Sequence, residues 1–350
     1  MNSLIFGLEL YNMYLYSMKK QSLILMLFIS VVLLSCKQES TTCELNEDIL
    51  RVPVDMEIIR MDQMFYNITS EEDLDELLEN HPHFSQEYLQ EDLYYSKRDF
   101  YISLMSVAQD TLVQELNREV QAHFEDFAAL EQELENAFKY IRYHFPDYRV
   151  PKIYTFVSGF SNDFYIDDNI IVIGLDYFLP QDHPFQPDDL PQYITKRYQR
   201  EYLVPTLVTA ISSKFNYTDM SDNTLLAEMV FYGKAYHFTK TILPCTPDSL
   251  IIGYSQDDIV ASYANEKLIW SHFVENELLY ETNPFEIRKY TGEAPFTDEI
   301  SPDAPGRIGR WVGWNIVDDY AESKNVSLPE LMAERNATQI FRQSGYKPRR

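Results

Sequence analysis

Two arginines and two tryptophans near the C-terminus are the side chains whose types and spacing best suit ligand binding. Arg307 and Trp311 are four residues apart, and so are Arg310 and Trp314. On a helix this spacing brings each guanidinium within reach of an indole face, where a cation–π contact is favourable. Arginine and tryptophan are also enriched where proteins bind partners. The sequence therefore predicts either a packed helix with a decorated face or the rim of a binding site.

A small group of acidic and phenolic residues supplies the candidates for proton transfer. Glu228 and Tyr232 lie one helical turn apart, and Glu266 follows Asn265 among aromatic residues. Glutamate and tyrosine both serve as general acids or bases in enzymes. The setting of Asn265 and Glu266 fits either a surface pair or a buried, hydrogen-bonded pair. Lys234 lies in the same segment as Tyr232 and is a further candidate for ligand binding.

The sequence lacks the usual signatures of catalytic and metal sites. It contains no Walker loop, dinucleotide-binding fingerprint, nucleophile elbow or His-Glu-x-x-His pair. Its histidines are scattered, and only His81 and His83 are close together. An acidic turn with Asp167, Asp168 and Asn169 offers oxygen ligands for calcium, but it lacks the glycine and glutamate of an EF-hand loop. We therefore expect no bound metal and no cofactor.

Residues 1–35 fit an export signal. Lys19 and Lys20 precede an apolar run over residues 22–34, which is too short to span a bilayer and fits the core of a signal peptide. The run ends Leu33-Leu34-Ser35-Cys36, which resembles the lipobox of bacterial lipoproteins. Cys36 would then be lipidated and anchor the chain to a membrane of the cell envelope, facing the periplasm. An ordinary signal peptide with a coincidental cysteine is the alternative.

The remaining sequence is divided by composition. Residues 1–17 fit a misassigned start or a dispensable extension, residues 36–50 a polar tether, and residues 51–350 a single folded domain. The formal charge of −26 argues against nucleic acid as a partner. Cys43 and Cys245 form no Cys-x-x-Cys motif, so a zinc knuckle is not indicated. Whether these two cysteines pair is left open by the sequence.

The pattern of apolar residues predicts a mainly α-helical protein with a small β-sheet, an α+β fold. Strands are predicted near residues 54–60, 153–157 and 170–174, and helices over much of 86–145, from residue 191, over 225–243 and over 256–280. A last helix should begin at Pro305, which suits a helix entry. Gly233, Gly309 and Gly313 would lie inside helices, where glycine costs about 1 kcal/mol relative to alanine. They predict close approach of neighbouring backbone.

Several short motifs, taken together in their order along the chain, resemble the gliding-motility lipoprotein B (GldB) family of the Bacteroidetes. Pro180 departs from the family, which often has glycine there. The resemblance implies a lipid-anchored role in gliding motility, with other gliding or secretion proteins of the envelope as partners. The motifs are Ile173-Gly174-Leu175-Asp176-Tyr177-Phe178-Leu179, Met229-Val230-Phe231-Tyr232-Gly233-Lys234-Ala235-Tyr236, Ile252-Gly253-Tyr254, Asn265-Glu266, Ile269-Trp270, the stretch 305–317, and Tyr346-Lys347-Pro348.

The family is distantly similar to predicted zinc peptidases with a zincin-like layout. In this chain the metal-binding helix of that layout would cover residues 206–213, which contain no histidine and no acid. Phe231, Tyr232 and Gly233 stand where such peptidases carry a glutamate ligand. The resemblance therefore implies a degenerate metal site and a non-catalytic protein. The rival hypothesis is a hydrolase that uses the metal-free cleft, with Glu228, Tyr232 and Glu266 as its acid–base groups.

Overall fold

The computed structural model describes residues 43–348. The chain divides into two compact units, residues 1–44 and 45–350, and every element below belongs to the second. Cys36 and the predicted signal peptide lie outside the described residues, so the division into signal, tether and domain stays a prediction. Cys43 and Cys245 are both disulfide-bonded. Among the described residues, no helix combines the length and apolar character needed to cross a bilayer.

The described residues form a mainly helical protein with one small sheet, which confirms the predicted α+β class. The zincin-like layout stays a prediction. The strands are β1 Ile58–Arg60, β2 Lys152–Phe156, β3 Phe164–Ile166 and β4 Ile170–Gly174. The helices are α1 Glu47–Leu50, α2 Met61–Met64, α3 Glu71–Asn80, α4 Lys97–Ala108, α5 Thr111–His123, α6 Ala128–His144, α7 Gln192–Thr195, α8 Arg200–Ile211, α9 Leu225–Ile242, α10 Asp248–Ile252, α11 Gln256–Ala264, α12 Glu266–Glu275, α13 Pro284–Thr291, α14 Ile308–Lys324, α15 Leu328–Ala333 and α16 Ala337–Ser344.

The sheet is mixed, with strand order β1-β2-β4-β3. β2 runs parallel to both β1 and β4, whereas β3 pairs with β4 as an antiparallel edge strand. Every residue of β4 is buried, as expected for a strand covered on both faces. The runs predicted at 153–157 and 170–174 are therefore confirmed as the two central strands. The predicted first strand is shorter than expected and covers only the end of its range.

Two apolar cores fill the domain. The first packs the sheet against α3–α6 and α8, and includes an apolar stripe of α6 in which Leu130, Leu134 and Ile141 are all buried. The second is built on α9 and α14 with α12, α13 and α16 around them. α9 contributes to both cores, through Phe238 to the first and Met229 to the second. Consequently α9 is the central helix of the fold.

Two predicted helix boundaries are wrong. The helix expected over 256–280 is broken at Asn265, which links α11 to α12 with a non-helical φ of −109° and ψ of 14°. The last helix begins at Ile308 and not at Pro305, because Arg307 has a left-handed backbone with φ +63°. Hydrogen bonds to the two carbonyls that precede Arg307 hold this turn, since Thr297 donates to Pro305 O and Tyr254 donates to Gly306 O.

The predicted close approach at the helical glycines is confirmed where α9 crosses α14. A Cβ built on Gly313 would lie 1.9 Å from the carbonyl oxygen of Met229. A Cβ on Gly233 would lie 2.3 Å from the carbonyl oxygen of Gly313. Real side chains do not tolerate such distances, so the two backbones touch directly through these glycines. This contact fixes the position of Tyr232 on α9 relative to Arg310 on α14.

Candidate functional site

Three arginines converge on one glutamate near the start of α14. Nη2 of Arg197 lies 2.7 Å from Oε2 of Glu293, Nη1 of Arg310 lies 3.3 Å from Oε1, and Nε of Arg307 lies 3.6 Å from Oε2. We call these four residues the arginine cluster. The arginine side chains are 7–21% exposed, and that of Glu293 is 37% exposed. The cluster is therefore largely desolvated but opens to solvent at its carboxylate.

Each residue of the arginine cluster lies at or next to the end of a helix. Arg197 follows α7, and its backbone N–H donates to Ile194 O in a tight turn. Glu293 follows the Gly292 cap of α13. Arg307 is the N-cap of α14, and Arg310 lies in the first turn of the same helix, where its Nε donates to Thr291 O. The cluster thus joins three segments that are far apart in sequence.

Tyrosine rings cover the arginines, and the predicted stacking on tryptophan is wrong. The Arg310 guanidinium lies 3.9 Å from the ring centroid of Tyr232, and the Arg307 guanidinium lies 5.6 Å from that of Tyr254. Both indoles are buried instead. Trp311 packs edge-on against Tyr263 at 5.1 Å, and Trp314 packs against Tyr236 at 5.4 Å, in each case between ring centroids. The reason is that both indoles belong to the core face of α14, which the left-handed turn at Arg307 orients inward.

The arginine cluster carries an excess of positive charge. Burial alone would raise the pKa of Glu293, but the charges of the three arginines outweigh it and lower the pKa below its usual value. Burial likewise opposes the charge of Arg310, yet Tyr236, Tyr232 and Glu293 outweigh it and raise the pKa of the guanidinium. α14 has no acidic residue in its first turn. The positive end of its dipole therefore adds to the potential of the arginines.

A cavity of about 480 Å³ opens onto the arginine cluster, and all four cluster residues line it. Thr206, Thr209 and Ala210 of α8 form one wall, with Tyr236 of α9 opposite. This is the segment, 206–213, where the zincin-like layout would place its metal ligands. The side chains found there are two hydroxyls and a methyl group, which are poor ligands for zinc. Arginines supply most of the charge at this cavity, and the peptidase-like layout stays a prediction.

Gly253 shapes the same cavity. It ends α10 with a left-handed backbone, φ +72°. A Cβ at this position would lie 2.5 Å from Cδ of Arg197 and 3.5 Å from Nη2 of Arg307. The carbonyl oxygen of Gly253 also accepts a hydrogen bond from Nη2 of Arg307 at 3.3 Å. The glycine therefore leaves space for the side-chain stem of Arg197, and its carbonyl oxygen holds the guanidinium of Arg307.

Lys234 lies outside this cavity and is almost fully buried, with 1% exposure. Its Nζ donates to three backbone carbonyls, those of Tyr217 at 2.7 Å, Met332 at 3.0 Å and Glu334 at 2.8 Å. An ammonium group has three donors, so this set occupies all of them. Lys234 thereby ties α9 to the loop at Tyr217 and to the C-terminal end of α15. A binding role for it stays a prediction.

Asn265 and Glu266 differ in their surroundings. Glu266 is buried and accepts a hydrogen bond from the Tyr346 hydroxyl at 2.9 Å, which confirms the buried alternative for the glutamate. Asn265 is exposed, and its side chain donates to Ala261 O within its own helix. For the asparagine, the surface alternative is the one that the structure shows. The pair supports the junction of α11 with α12, and its binding role is untested.

The three acid–base candidates do not form one group. Glu228 accepts a hydrogen bond from the Thr291 hydroxyl at 2.8 Å, whereas Glu266 is paired with Tyr346. Tyr232 lies under Arg310, and burial raises the pKa of its hydroxyl against the opposing effect of the Arg310 charge. Because the raised pKa lies further above physiological pH, the Tyr232 hydroxyl is a weaker acid at that pH.

The described residues contain no group of three or more histidine, cysteine or acidic side chains arranged to hold a metal ion. In the acidic turn considered for calcium, Nζ of Lys214 lies 2.8 Å from Oδ1 of Asp168. Asp167 uses its Oδ1 to accept the backbone N–H groups of Asn169 and Ile170. This turn is held by its own hydrogen bonds and by a lysine.

Residues 42–348 match the sequence family described as gliding motility protein GldB. The chain belongs to the GldB family. Comparison with curated proteins and with solved structures gives no match. The family assignment confirms the resemblance drawn from the motifs, and it connects the chain with gliding motility. The family is named for a lipoprotein, which indicates attachment to a membrane of the cell envelope.

The sequence did not point to Arg197 or Glu293, which complete the arginine cluster. They are 96 residues apart, and no periodic pattern connects them. A signal was present for Tyr254, since Gly253 and Tyr254 belong to a motif shared with the GldB family. Arg307 and Arg310 were found because of their i, i+4 spacing to Trp311 and Trp314 and because arginine and tryptophan are enriched at binding sites.

Proposed function

We propose that this GldB-family chain is a lipid-anchored, periplasm-facing protein of the cell envelope that acts in gliding motility as a non-catalytic component. Two features support the proposal. The family match covers almost the whole chain. The sequence Leu33-Leu34-Ser35-Cys36 follows an apolar run of signal-peptide length. Its partners would be other gliding or secretion proteins of the envelope.

The observation that carries the non-catalytic role is the charge state of the arginine cluster. A general acid or base works best when its pKa lies near the working pH. Arginine keeps its proton in proteins, and the lowered pKa of Glu293 keeps its carboxylate ionised. The charged groups at the cavity are therefore held in fixed protonation states. Such a set binds and orients a partner group, and it does not move protons.

Cys36→Ser tests the anchor. Because the thiol would be the acceptor of the lipid, we expect the variant to incorporate no labelled palmitate and to leave the membrane fraction. Colony spreading should fall with it if gliding needs the anchored form. Ser40→Ala, in the predicted tether, is the control and should behave as the parent chain does. A Cys36→Ser protein that still takes up label would contradict the lipobox interpretation.

Tyr232→Phe separates the proposal from the rival hydrolase. The substitution keeps the ring under Arg310, and so the cation–π contact, but removes the only group of Tyr232 able to transfer a proton. We expect an unchanged melting temperature, normal colony spreading and no stoichiometric zinc in either purified protein. Loss of spreading by a stably folded Tyr232→Phe protein, or one zinc per chain, would favour the enzyme.

A further inference from the structure

We propose that the arginine cluster binds the anionic head of a ligand, a carboxylate or phosphate group, whose apolar part rests on the wall of the adjoining cavity. This inference goes beyond the role in gliding and does not depend on it. It assigns a ligand chemistry to a site whose charge, donors and shape can be examined separately. Each of these three properties favours an anionic ligand.

The first argument is charge. Among the described residues that line the cavity, the ionised side chains are three arginines and one glutamate. The N-terminus of α14 adds its positive dipole, with no acidic residue in the first turn. Yet the chain as a whole has 55 acidic residues against 29 basic ones. A purely structural cluster in so acidic a chain would be expected to contain more internal carboxylates. The uncompensated positive charge is suited to an external anion.

The second argument is hydrogen bonding. Nε of Arg197 is buried and donates to no group within residues 43–348. Nη2 of the same guanidinium donates a hydrogen bond to Glu293. Buried donors of this kind are nearly always paired in native proteins. Carboxylate and phosphate oxygens are the acceptors that match the guanidinium fork best. Arg197 therefore has donor capacity that its contact with Glu293 does not use.

The third argument is shape. The cavity volume of about 480 Å³ lies within the range of about 300–1,000 Å³ typical of small-ligand sites. Apart from the arginine cluster its walls are mainly aliphatic and aromatic, which suits an apolar body attached to the anionic head. The residues on these walls are Leu190, Ile194, Tyr198, Tyr202, Tyr236, Leu250, Ile251 and Ile252.

The backbone of the site adds support. Arg307 keeps a left-handed φ of +63°, a conformation that costs a non-glycine residue free energy and is concentrated at functional sites. Gly253 leaves the space that the side chain of Arg197 fills. Both features orient guanidinium groups toward the cavity before any ligand arrives. Such preorganisation raises affinity, because the ligand does not have to order these side chains.

The test uses the purified full chain in a non-ionic detergent, with three probes at constant ionic strength. The probes are inorganic phosphate, hexanoate and the neutral analogue hexanamide. Constant ionic strength is needed because salt screens surface charge in general. We expect a saturable rise in melting temperature with phosphate or hexanoate and none with hexanamide. Because inorganic phosphate lacks an apolar chain, binding of phosphate alone would identify a phosphate head group, and binding of hexanoate alone would identify a carboxylate with an apolar body. An equal effect of hexanamide, or no effect of any probe, would overturn the proposal.

Matched variants locate the binding. Arg197→Met should weaken anion binding about tenfold or more, since one charge-assisted contact is lost. Arg200→Met is the control, because Arg200 pairs with Glu133 on the other side of α8 and lines a different cavity. It should bind the anion as the parent does. Glu293→Gln should bind more tightly, because the competing carboxylate is gone while three arginines remain. Equal loss in both arginine variants, or weaker binding by a folded Glu293→Gln protein, would show that the cluster is structural.

Discussion

Gly313→Ala should destabilise the protein, although alanine is the better helix former by about 1 kcal/mol. The added Cβ would lie 1.9 Å from Met229 O and 2.4 Å from its carbonyl carbon. Both atoms belong to the backbone of the central helix α9, which cannot move aside as a flexible side chain can. Overpacking of this kind costs about 1–3 kcal/mol, and occasionally more. We expect a loss at the upper end of that range.

Urea denaturation of purified protein would measure the effect as a lower midpoint with an unchanged slope. Glu322→Ala is the matched control, since Glu322 is exposed on the same helix. Its effect should stay within about 0.5 kcal/mol, as for most surface substitutions. If Gly313→Ala raised the midpoint, helix propensity would have prevailed and the two helices would not be in backbone contact in solution.

The sequence predicted the two central strands and the glycine contact because both depend on local patterns, but it did not predict the edge strand Phe164–Ile166. A short continuous apolar run such as Ile170–Gly174 is typical of a strand that is buried on both faces. A glycine within a helical stretch, such as Gly313, is unfavourable unless something requires it. In both cases the residue type itself limits the structures that fit. These were the features that needed no knowledge of distant residues.

The arrangement of the site could be predicted only in part. Arg307 and Arg310 were identified, but their partners were not. The i, i+4 rule assumes that both residues are helical, and the left-handed φ of Arg307 removes it from α14. Glu293 lies in another segment, 14 positions before Arg307, after the end of α13. Contacts between segments of this kind depend on how the helices pack, which no local pattern specifies.

The acid–base candidates show the same limit. Tyr232 and Glu228 share α9, so their proximity follows from helical spacing. Glu266 is hydrogen-bonded to Tyr346, which is 80 residues away, and no local pattern around either residue predicts this pair. The three candidates therefore do not form the catalytic group that the sequence allowed. This supports a binding role for the cavity above a hydrolytic one.

Lys234→Met is expected to have the other large effect on stability. The substitution keeps the aliphatic stem inside α9 but leaves the carbonyls of Tyr217, Met332 and Glu334 without the ammonium donor that reaches all three. A buried polar group left unpaired costs about 1–3 kcal/mol. Met332 O keeps a hydrogen bond from the Tyr217 N–H at 3.0 Å, so two carbonyls lose their donor and the expected loss is about 2 kcal/mol or more.

The matched control is Lys240→Met on the same helix. Nζ of Lys240 lies 2.9 Å from Oδ1 of Asp248, and both side chains are 39% exposed, so the pair should contribute about 0–1 kcal/mol. Thermal melts of the two variants should therefore differ widely. If they melt together, the two carbonyls have found other partners and Lys234 does not hold these segments. A stable Lys234→Met protein that fails to support colony spreading would instead make Lys234 a binding residue.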